Sequence, residues 1–456
     1  MCESTYMEER MNIYFISLGC DKNLVDSENM LGILHENGYL ITSEEQTADI
    51  IIINTCCFIN DAKQESINTI LEMAEYKKSG NLKALIVTGC LAERYKEEIL
   101  LEIPQVDALL GTTSFSEILN VVEEITDGKQ HSHFASLEIL PKMSSKRLLT
   151  SGSFSAYLKI AEGCDKHCTY CIIPQVRGNY RSAPMEDLIS EAEYLADQGV
   201  KELILVAQET TLYGRDIYGE IALSKLLNKL CNINGIEWIR ILYCYPEEIT
   251  DELIETMKKE PKICRYLDLP IQHASDRILK LMGRRTSKED LVRIISNLRK
   301  HLPDIVLRTT LITGFPTETE AEHEELLEFV KKMEFDRLGV FTYSKEDNTS
   351  AAMLKPQIAA KVKKQRQKDI MKLQQSVVFA HTARLLGNRY DVLVEGKIAE
   401  EENVYIGRTY MDAPQVDGFL FLSSEEQLMS GDLVKAVVTG AKGYDLVGEL
   451  VEGSKK

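Results

Sequence analysis

The chain has 456 residues, 44% of them hydrophobic, and a formal net charge of −18 at pH 7. This length holds two or three domains of ordinary size, and no apolar run approaches the ~20 residues of a membrane helix. The acidic balance disfavours generic binding to nucleic-acid phosphates and suits a basic protein partner.

The first ten residues, Met1–Arg10, read as a polar leader without an apolar signal core, which predicts a cytoplasmic protein. There are 11 cysteines, an odd number, and this argues for metal ligands or reactive thiols over a disulfide framework. Asn12–Leu18 is a short buried strand. A helical pattern follows near Leu24, with Leu31 and Leu34 on the same face. Asp49–Asn54 and Lys83–Thr88 are continuous apolar runs, the mark of strands covered on both faces. A helix over Asp61–Lys78 separates them, and helix, strand and helix continue through Leu91, Leu109 and Ile118. Cys20, Cys56 and Cys90 each stand just past one of these three strands. In open parallel sheets, ligands sit beyond the carboxyl ends of the strands. The three are therefore either a convergent three-thiolate site or three buried small hydrophobes. Cys57, Cys2, Cys231, Cys244 and Cys264 have no cluster spacing.

Residues 127–150 are polar and irregular, and are expected to form a linker with His131 and His133 solvated. Strand–helix alternation then resumes. Strands are predicted at Ser155–Ala161, Glu202–Ala207, Trp238–Leu242, Tyr266–Leu269, Val306–Thr313 and Arg337–Thr342. Six such units predict a partial (β/α) barrel with its chemistry at the carboxyl ends of the strands. The loop after the first strand, GCDKHCTYCIIPQVR, carries Cys164, Cys168 and Cys171 at C-x3-C-x2-C spacing. Thiolates suit iron–sulfur clusters or zinc. Three local thiolates leave one iron of a cubane open, and this is the pattern of radical S-adenosylmethionine (SAM) enzymes. The alternative is a zinc site completed by a distant ligand or by His167. Polar groups follow other strands: Gln208–Thr211, Gln272–His273 and Gly314–Pro316, with Arg308 inside the fifth strand.

Pro356–Leu386 is a long helical pattern. Past it, Gly387–Val451 reads as five short strands, a small antiparallel barrel of the OB type. Its five basic residues, Arg389, Lys397, Arg408, Lys435 and Lys442, face a larger acidic set that includes Glu400–Glu402, Glu425 and Glu426. Such a surface repels phosphates and suits a basic protein.

From Met11 onward the motifs resemble the methylthiotransferases of the radical SAM superfamily, and among them the RimO type that modifies small-subunit ribosomal protein twelve. SLGCDKNLVDSE, AEGCDKHCTYCIIPQVRGNYRS, VAQETTLYG and LPIQHAS carry the resemblance. Two positions depart from the pattern: Cys57 and Thr317 stand where Gly is common. The resemblance implies an N-terminal methylthiotransferase domain at 11–126, a linker at 127–150, a radical SAM barrel at 151–386 and a TRAM domain at 387–454. It implies two 4Fe–4S clusters, one on Cys164, Cys168 and Cys171 that chelates SAM, and a second on Cys20, Cys56 and Cys90 that carries the transferred sulfur. Gln208, Glu209, Gln272, Arg308 and Gly314 are the candidates for the SAM pocket. The implied product is a methylthio group on C3 of an aspartate. The implied partners are the small ribosomal subunit or its protein twelve and an electron donor such as flavodoxin or ferredoxin, with no membrane and no stable tRNA binding. Two rivals are the same chemistry on tRNA adenosine and a non-catalytic iron–sulfur module docking on the ribosome. The motif variants and the acidic barrel weigh against the first, the polar groups at successive strand ends against the second.

Overall fold

The computed structural model describes residues 11–126, 131–141, 143, 146–150 and 152–455. The predicted leader, with Cys2, lies outside them. The described parts of Met1–Thr150, Glu162–Asp165 and Cys171–Ala183 form one compact unit; those of Ser151–Ala161, Lys166–Tyr170 and Pro184–Lys456 form the other.

The first unit is built on a parallel sheet of six strands: β1 (Asn12–Ser17), β2 (Leu40–Thr42), β3 (Ile50–Thr55), β4 (Ala84–Gly89), β5 (Ala108–Leu110) and β6 (His131–His133). Their order is β2-β1-β3-β4-β5-β6. Strands β3 and β4 are buried along their whole length, as continuous apolar runs require. One face packs Ile51, Ile53, Leu85 and Val87 under the helix Asn60–Ala74, with Ile70 and Met73. The other packs Ile50, Ile52 and Ile86 against Met30 and Leu34 of the helix Asp21–Glu36.

Three details differ from the sequence reading. The helix predicted over 61–78 is two pieces, Asn60–Ala74 and Tyr76–Ser79. The helix Asp21–Glu36 buries Val25, Met30, Leu31 and Leu34, whereas Leu24 is only half-buried; it also buries Lys22, Asn23, Asp26, Ser27, Glu28 and Asn29. The segment expected as a linker is in part a strand, because β5 has an open edge that β6 satisfies by parallel pairing. Further along, the Leu148 N–H donates to the Glu28 carbonyl at 3.0 Å and the Thr150 N–H to Glu28 Oε1 at 3.0 Å.

The second unit holds two sheets. Strands β7 (Ser155–Lys159), β10 (Glu202–Val206), β11 (Trp238–Ile241), β12 (Ile263–Asp268), β13 (Val306–Thr313) and β14 (Arg337–Thr342) form one parallel sheet in the order β14-β13-β12-β11-β10-β7. This is the predicted open (β/α) barrel. Apart from these sheets, a short two-stranded ribbon pairs β8 (Ala161–Glu162) with β9 (Arg181–Ser182), which flank the cysteine-bearing stretch in sequence; Glu162, Arg181 and Ser182 belong to the first unit. The helix Ala360–Ala383 leads to a closed five-stranded barrel: β15 (Arg389–Lys397), β16 (Val404–Arg408), β17 (Leu420–Ser423), β18 (Leu433–Lys442) and β19 (Asp445–Leu450). It is antiparallel except where β17 runs parallel to β19; that pairing closes the barrel and removes its free edges.

Buried charges tie this small barrel to the amino ends of the larger one. Glu202 meets Arg408 at 2.6 Å and Arg240 at 2.8 Å, with all three side chains fully buried. Burial alone would raise the Glu202 pKa; the two guanidiniums outweigh it and hold the carboxyl at about 2. Asp417 accepts from Tyr266 Oη at 2.6 Å and stands 3.5 Å from Arg308. Among the described residues no helix is long and apolar enough to cross a membrane.

Candidate active site

Cys20, Cys56 and Cys90 follow the adjacent strands β1, β3 and β4. The backbone around them is fitted tightly. Gly19 has φ +93°, and a Cβ there would lie 2.6 Å from Cys56 Cβ and 3.0 Å from its Sγ. Gly89 has φ +91°, and a Cβ there would collide with Asn54 and Thr55. Only glycine admits both the conformation and the approach. Two asparagines lace the strand ends. Asn23 Nδ2 donates to the carbonyls of Leu18 (2.9 Å) and Thr55 (3.0 Å). Asn54 Nδ2 donates to the Asn23 carbonyl and to Ser27 Oγ, both at 2.9 Å.

Cys56 and Cys90 are buried, and Cys20 is exposed. Burial, then the neighbouring Cys90 and Cys20, pushes the Cys56 thiol up to about 12. Burial also raises Cys90, against the pull of Arg177. Such thiols ionise only when a cation takes the place of the proton, as metal ligation does. Cys57 turns elsewhere: fully buried, its Sγ donates to the Cys90 carbonyl at 3.2 Å. Among the described residues no group of three His, Cys, Asp or Glu is spaced to hold a metal ion as it stands. The soft donor set and the cradle formed by Gly19, Gly89 and the two asparagines nonetheless fit a thiolate-ligated iron–sulfur centre.

One residue here carried no signal in the sequence. Arg177 ends the short helix Ile173–Arg177 and is 1% exposed. It donates from Nε to Cys90 Sγ at 3.4 Å, from Nη1 to Asp26 at 2.8 Å and to Glu162 at 3.1 Å, and from Nη2 to Asn23. Burial opposes its charge, but Cys90, Glu162 and Asp26 keep its pKa above the ordinary arginine value.

In the C-x3-C-x2-C stretch, Cys164 is buried and its N–H donates to the Gly178 carbonyl at 3.1 Å. Gly163, φ +78°, leaves no room for a Cβ against the Asn179 carbonyl. Cys171 is half-buried and accepts from the Ile173 N–H at 3.5 Å. Within the second unit, Cys168 is buried with Sγ 3.8 Å from Tyr245 Oη. Thr169 fastens its segment through the Leu281 carbonyl (2.7 Å) and the Met282 carbonyl (3.0 Å). His167 is exposed, with φ +50°. Cys231, Cys244 and Cys264 are plain buried thiols.

Lys166, between the first two of these cysteines, is buried and lies 2.6 Å from Glu248, 3.2 Å from Glu209 and 3.5 Å from Glu247. Glu209 follows β10 and is fully buried. Burial raises its pKa, Lys166 opposes this, and the carboxyl rests at about 7. Gln208 precedes it at the same strand end. Gln272, φ +69°, bridges β12 to β13: its N–H donates to Thr310 at 2.9 Å and its carbonyl accepts from Ile312 at 2.8 Å. Its side-chain Oε1 is buried without a hydrogen-bond partner, as is Thr313 Oγ1 at the end of β13. Buried orphans of this kind each cost about 1–3 kcal/mol unless a ligand satisfies them, so the strand ends fit a polar cofactor.

The other two candidates have evident structural work. Arg308 pairs with Asp268 at 2.9 Å and with Asp417 of the small barrel at 3.5 Å. Gly314 lies so close to Lys363 of the long helix that a Cβ would collide. Thr317, where Gly is common in the resembling sequences, has φ +71°, a left-handed conformation that a β-branched residue adopts at a cost.

Comparison with known proteins agrees with this geometry. Residues 12–111 match the family described as Uncharacterized protein family UPF0004, 158–330 the Radical SAM superfamily and 386–451 the TRAM domain. Among solved structures, the fold is similar to TsrM, a radical S-adenosylmethionine methyltransferase from Kitasatospora setae (TM-score 0.55, 13% identity, 75% of this chain and 77% of that one). The fold and the cysteine loop define a radical SAM enzyme, a class that uses SAM and a 4Fe–4S cluster. Two curated relatives carry the name ribosomal protein uS12 methylthiotransferase RimO. The one from Lachnoclostridium phytofermentans is 61% identical over 96% of this chain and 99% of its own; that from Acetivibrio thermocellus is 52% identical over 99% and 100%. The chain belongs to the RimO family of radical SAM methylthiotransferases.

Proposed function

We propose that the chain adds a methylthio group to C3 of an aspartate in ribosomal protein uS12, giving 3-methylthioaspartate. The observation that carries this reading is the presence, in one chain, of two three-cysteine sets. One is local, at Cys164, Cys168 and Cys171; the other stands at three adjacent strand ends, at Cys20, Cys56 and Cys90. A radical SAM enzyme needs the first for SAM cleavage, and sulfur transfer gives the second a purpose. The near full-length identity to relatives named for uS12 supports the substrate.

Each set would hold one 4Fe–4S cluster. When bound, SAM and the clusters supply hydrogen abstraction at an unactivated carbon and the sulfur that replaces the hydrogen, steps for which no side-chain acid or base suffices. The chain's own residues bind and exclude water. Gln208, Glu209 and Gln272 would hold the polar parts of SAM, with Glu209 kept in place by Lys166. Gly314 would allow close packing beside them. Arg308 would act at one remove, by fixing Asp268, which accepts from the Tyr243 N–H at 3.2 Å. Domain limits of 11–126, 151–386 and 387–454 fit this division of labour. The electron would come from a flavodoxin or ferredoxin.

The small barrel would dock the basic substrate. Glu400, Glu401, Glu402, Glu425 and Glu426 are all exposed, and their attraction for Lys and Arg is screened within about 8 Å at physiological salt. The decisive experiment incubates purified enzyme, SAM and reductant with uS12 or with tRNA, followed by mass spectrometry of both. The expected product is methylthio-aspartate in uS12 alone. Modified tRNA adenosine with untouched uS12 overturns the proposal.

A further inference from the structure

We propose that Arg177 is a positioning residue for the sulfur-carrying cluster: it fixes Cys90 Sγ by an N–H bond and shields the ligating thiolate from two buried carboxylates. This rests on reading Cys20, Cys56 and Cys90 as cluster ligands. Arg177 lies six residues past Cys171, in the stretch that bears the SAM-cluster cysteines, yet its guanidinium is directed into the strand-end site.

The geometry distinguishes this from a plain structural ion pair. A pair with Asp26 and Glu162 needs only Nη1, which reaches both. Nη2 is taken by Asn23, the residue that laces β1 to β3. That leaves Nε–H, and it is aimed at Cys90 Sγ at 3.4 Å. All three nitrogens are thus committed, and one goes to sulfur. The side chains of Asp26 and Glu162 are 4% and 1% exposed. Without a cation between them, two buried carboxylates would repel any negative charge placed on Cys90. Hydrogen bonds to cluster sulfurs and net charge are the levers by which a protein sets a cluster's reduction potential. Partners that orient metal ligands typically alter metal affinity 10- to 100-fold when changed. A lysine cannot replace the fork: its single ammonium cannot meet Asp26, Glu162, Asn23 and Cys90 together.

The test uses the full chain with Cys164, Cys168 and Cys171 changed to Ala, so that iron bound after anaerobic reconstitution belongs to the strand-end cysteines. Arg177→Lys in this background keeps the charge and loses the N–H on sulfur. It is expected to bind the same iron and to release it to a chelator about tenfold faster. Its midpoint potential, followed by electron paramagnetic resonance, should fall by about 59 mV, a tenfold change in a one-electron equilibrium. Asp26→Asn keeps Arg177 and removes one carboxylate that competes for its charge; the potential should rise. Lys and Asn variants that match the parent in both potential and iron release overturn the role of Arg177. A parent that binds no iron overturns the cluster reading, and this proposal with it.

Discussion

The two cysteine sets are arranged in opposite ways. Cys164, Cys168 and Cys171 fall within eight residues, so the backbone of a single loop fixes their spacing. Cys20, Cys56 and Cys90 are far apart in sequence, and only the parallel sheet brings their strand ends side by side. Each set has a buried cation nearby. Beside the loop it is Lys166, a point charge neutralised by Glu209, Glu247 and Glu248. At the strand ends it is Arg177, a fork that holds two carboxylates and a thiol at once. The difference follows from the scaffolding. A local loop needs charge balance alone. A site assembled from separate strand ends also needs a residue able to fix several groups relative to one another.

The largest effect expected from this contrast is on SAM cleavage. Changing Cys164, Cys168 and Cys171 to Ala should abolish it and remove half of the reconstituted iron; variants that still produce 5′-deoxyadenosine would erase the distinction. Changing Cys20, Cys56 and Cys90 to Ala should also remove half of the iron but leave SAM cleavage measurable, while methylthio product disappears. Loss of cleavage in both variants would mean that the sets do not act separately.

A third test addresses the charge beside the loop. Glu209 has its folded pKa raised to about 7 from an ordinary 4.5, mainly by burial. The folded state therefore binds that proton more tightly than the unfolded state. Its contribution to stability is complete below the unfolded value and is lost as pH rises through 7. Glu209→Gln, neutral throughout, should flatten this slope by about 2–3 kcal/mol between about pH 5 and pH 8. Thermal melting of the full chain across that range measures it, and parallel curves for the two proteins would contradict the shift.

Smaller effects separate ligand from bystander. Cys57→Ala removes one S–H bond and a little buried volume, so about 1 kcal/mol of stability should be lost. The iron content should stay at the parent level; a fall to half would make Cys57 the ligand in place of Cys56. Thr317→Gly should stabilise the chain by about 1 kcal/mol, because relief of a left-handed β-branched residue outweighs the entropy of glycine. Part of that gain is offset by the lost bond from Arg277 Nη1 to Thr317 Oγ1, 3.1 Å in the native chain. A destabilised Gly variant would show that this bond dominates.

Much of the fold is written in the sequence. Continuous apolar runs such as Asp49–Asn54 and Lys83–Thr88 give the buried parallel strands, since a strand covered on both faces has no polar side to alternate with. The strands of the larger barrel and the five of the small one follow from the same local patterns. The loop cysteines are legible for a related reason: their chemistry depends on spacing along the chain. Other features depend on which groups meet after folding. Residues 131–133 look like linker because nothing local says that β5 has an open edge. Asn23 and Asp26 look like the polar face of an ordinary helix, yet they are buried beside the strand ends. Arg308 reads in sequence only as a polar residue inside a strand; its pairing with Asp268 and Asp417 is visible only in the packed structure. Arg177 could be taken for one more surface arginine; only tertiary structure surrounds it with Asp26, Glu162, Asn23 and Cys90. Local sequence determined the elements and the spacing of the loop cysteines, because periodicity and spacing act over a few residues. The partners of the buried charges were decided by the packed structure, because desolvation and Coulomb forces depend on distance in space and not on separation along the chain.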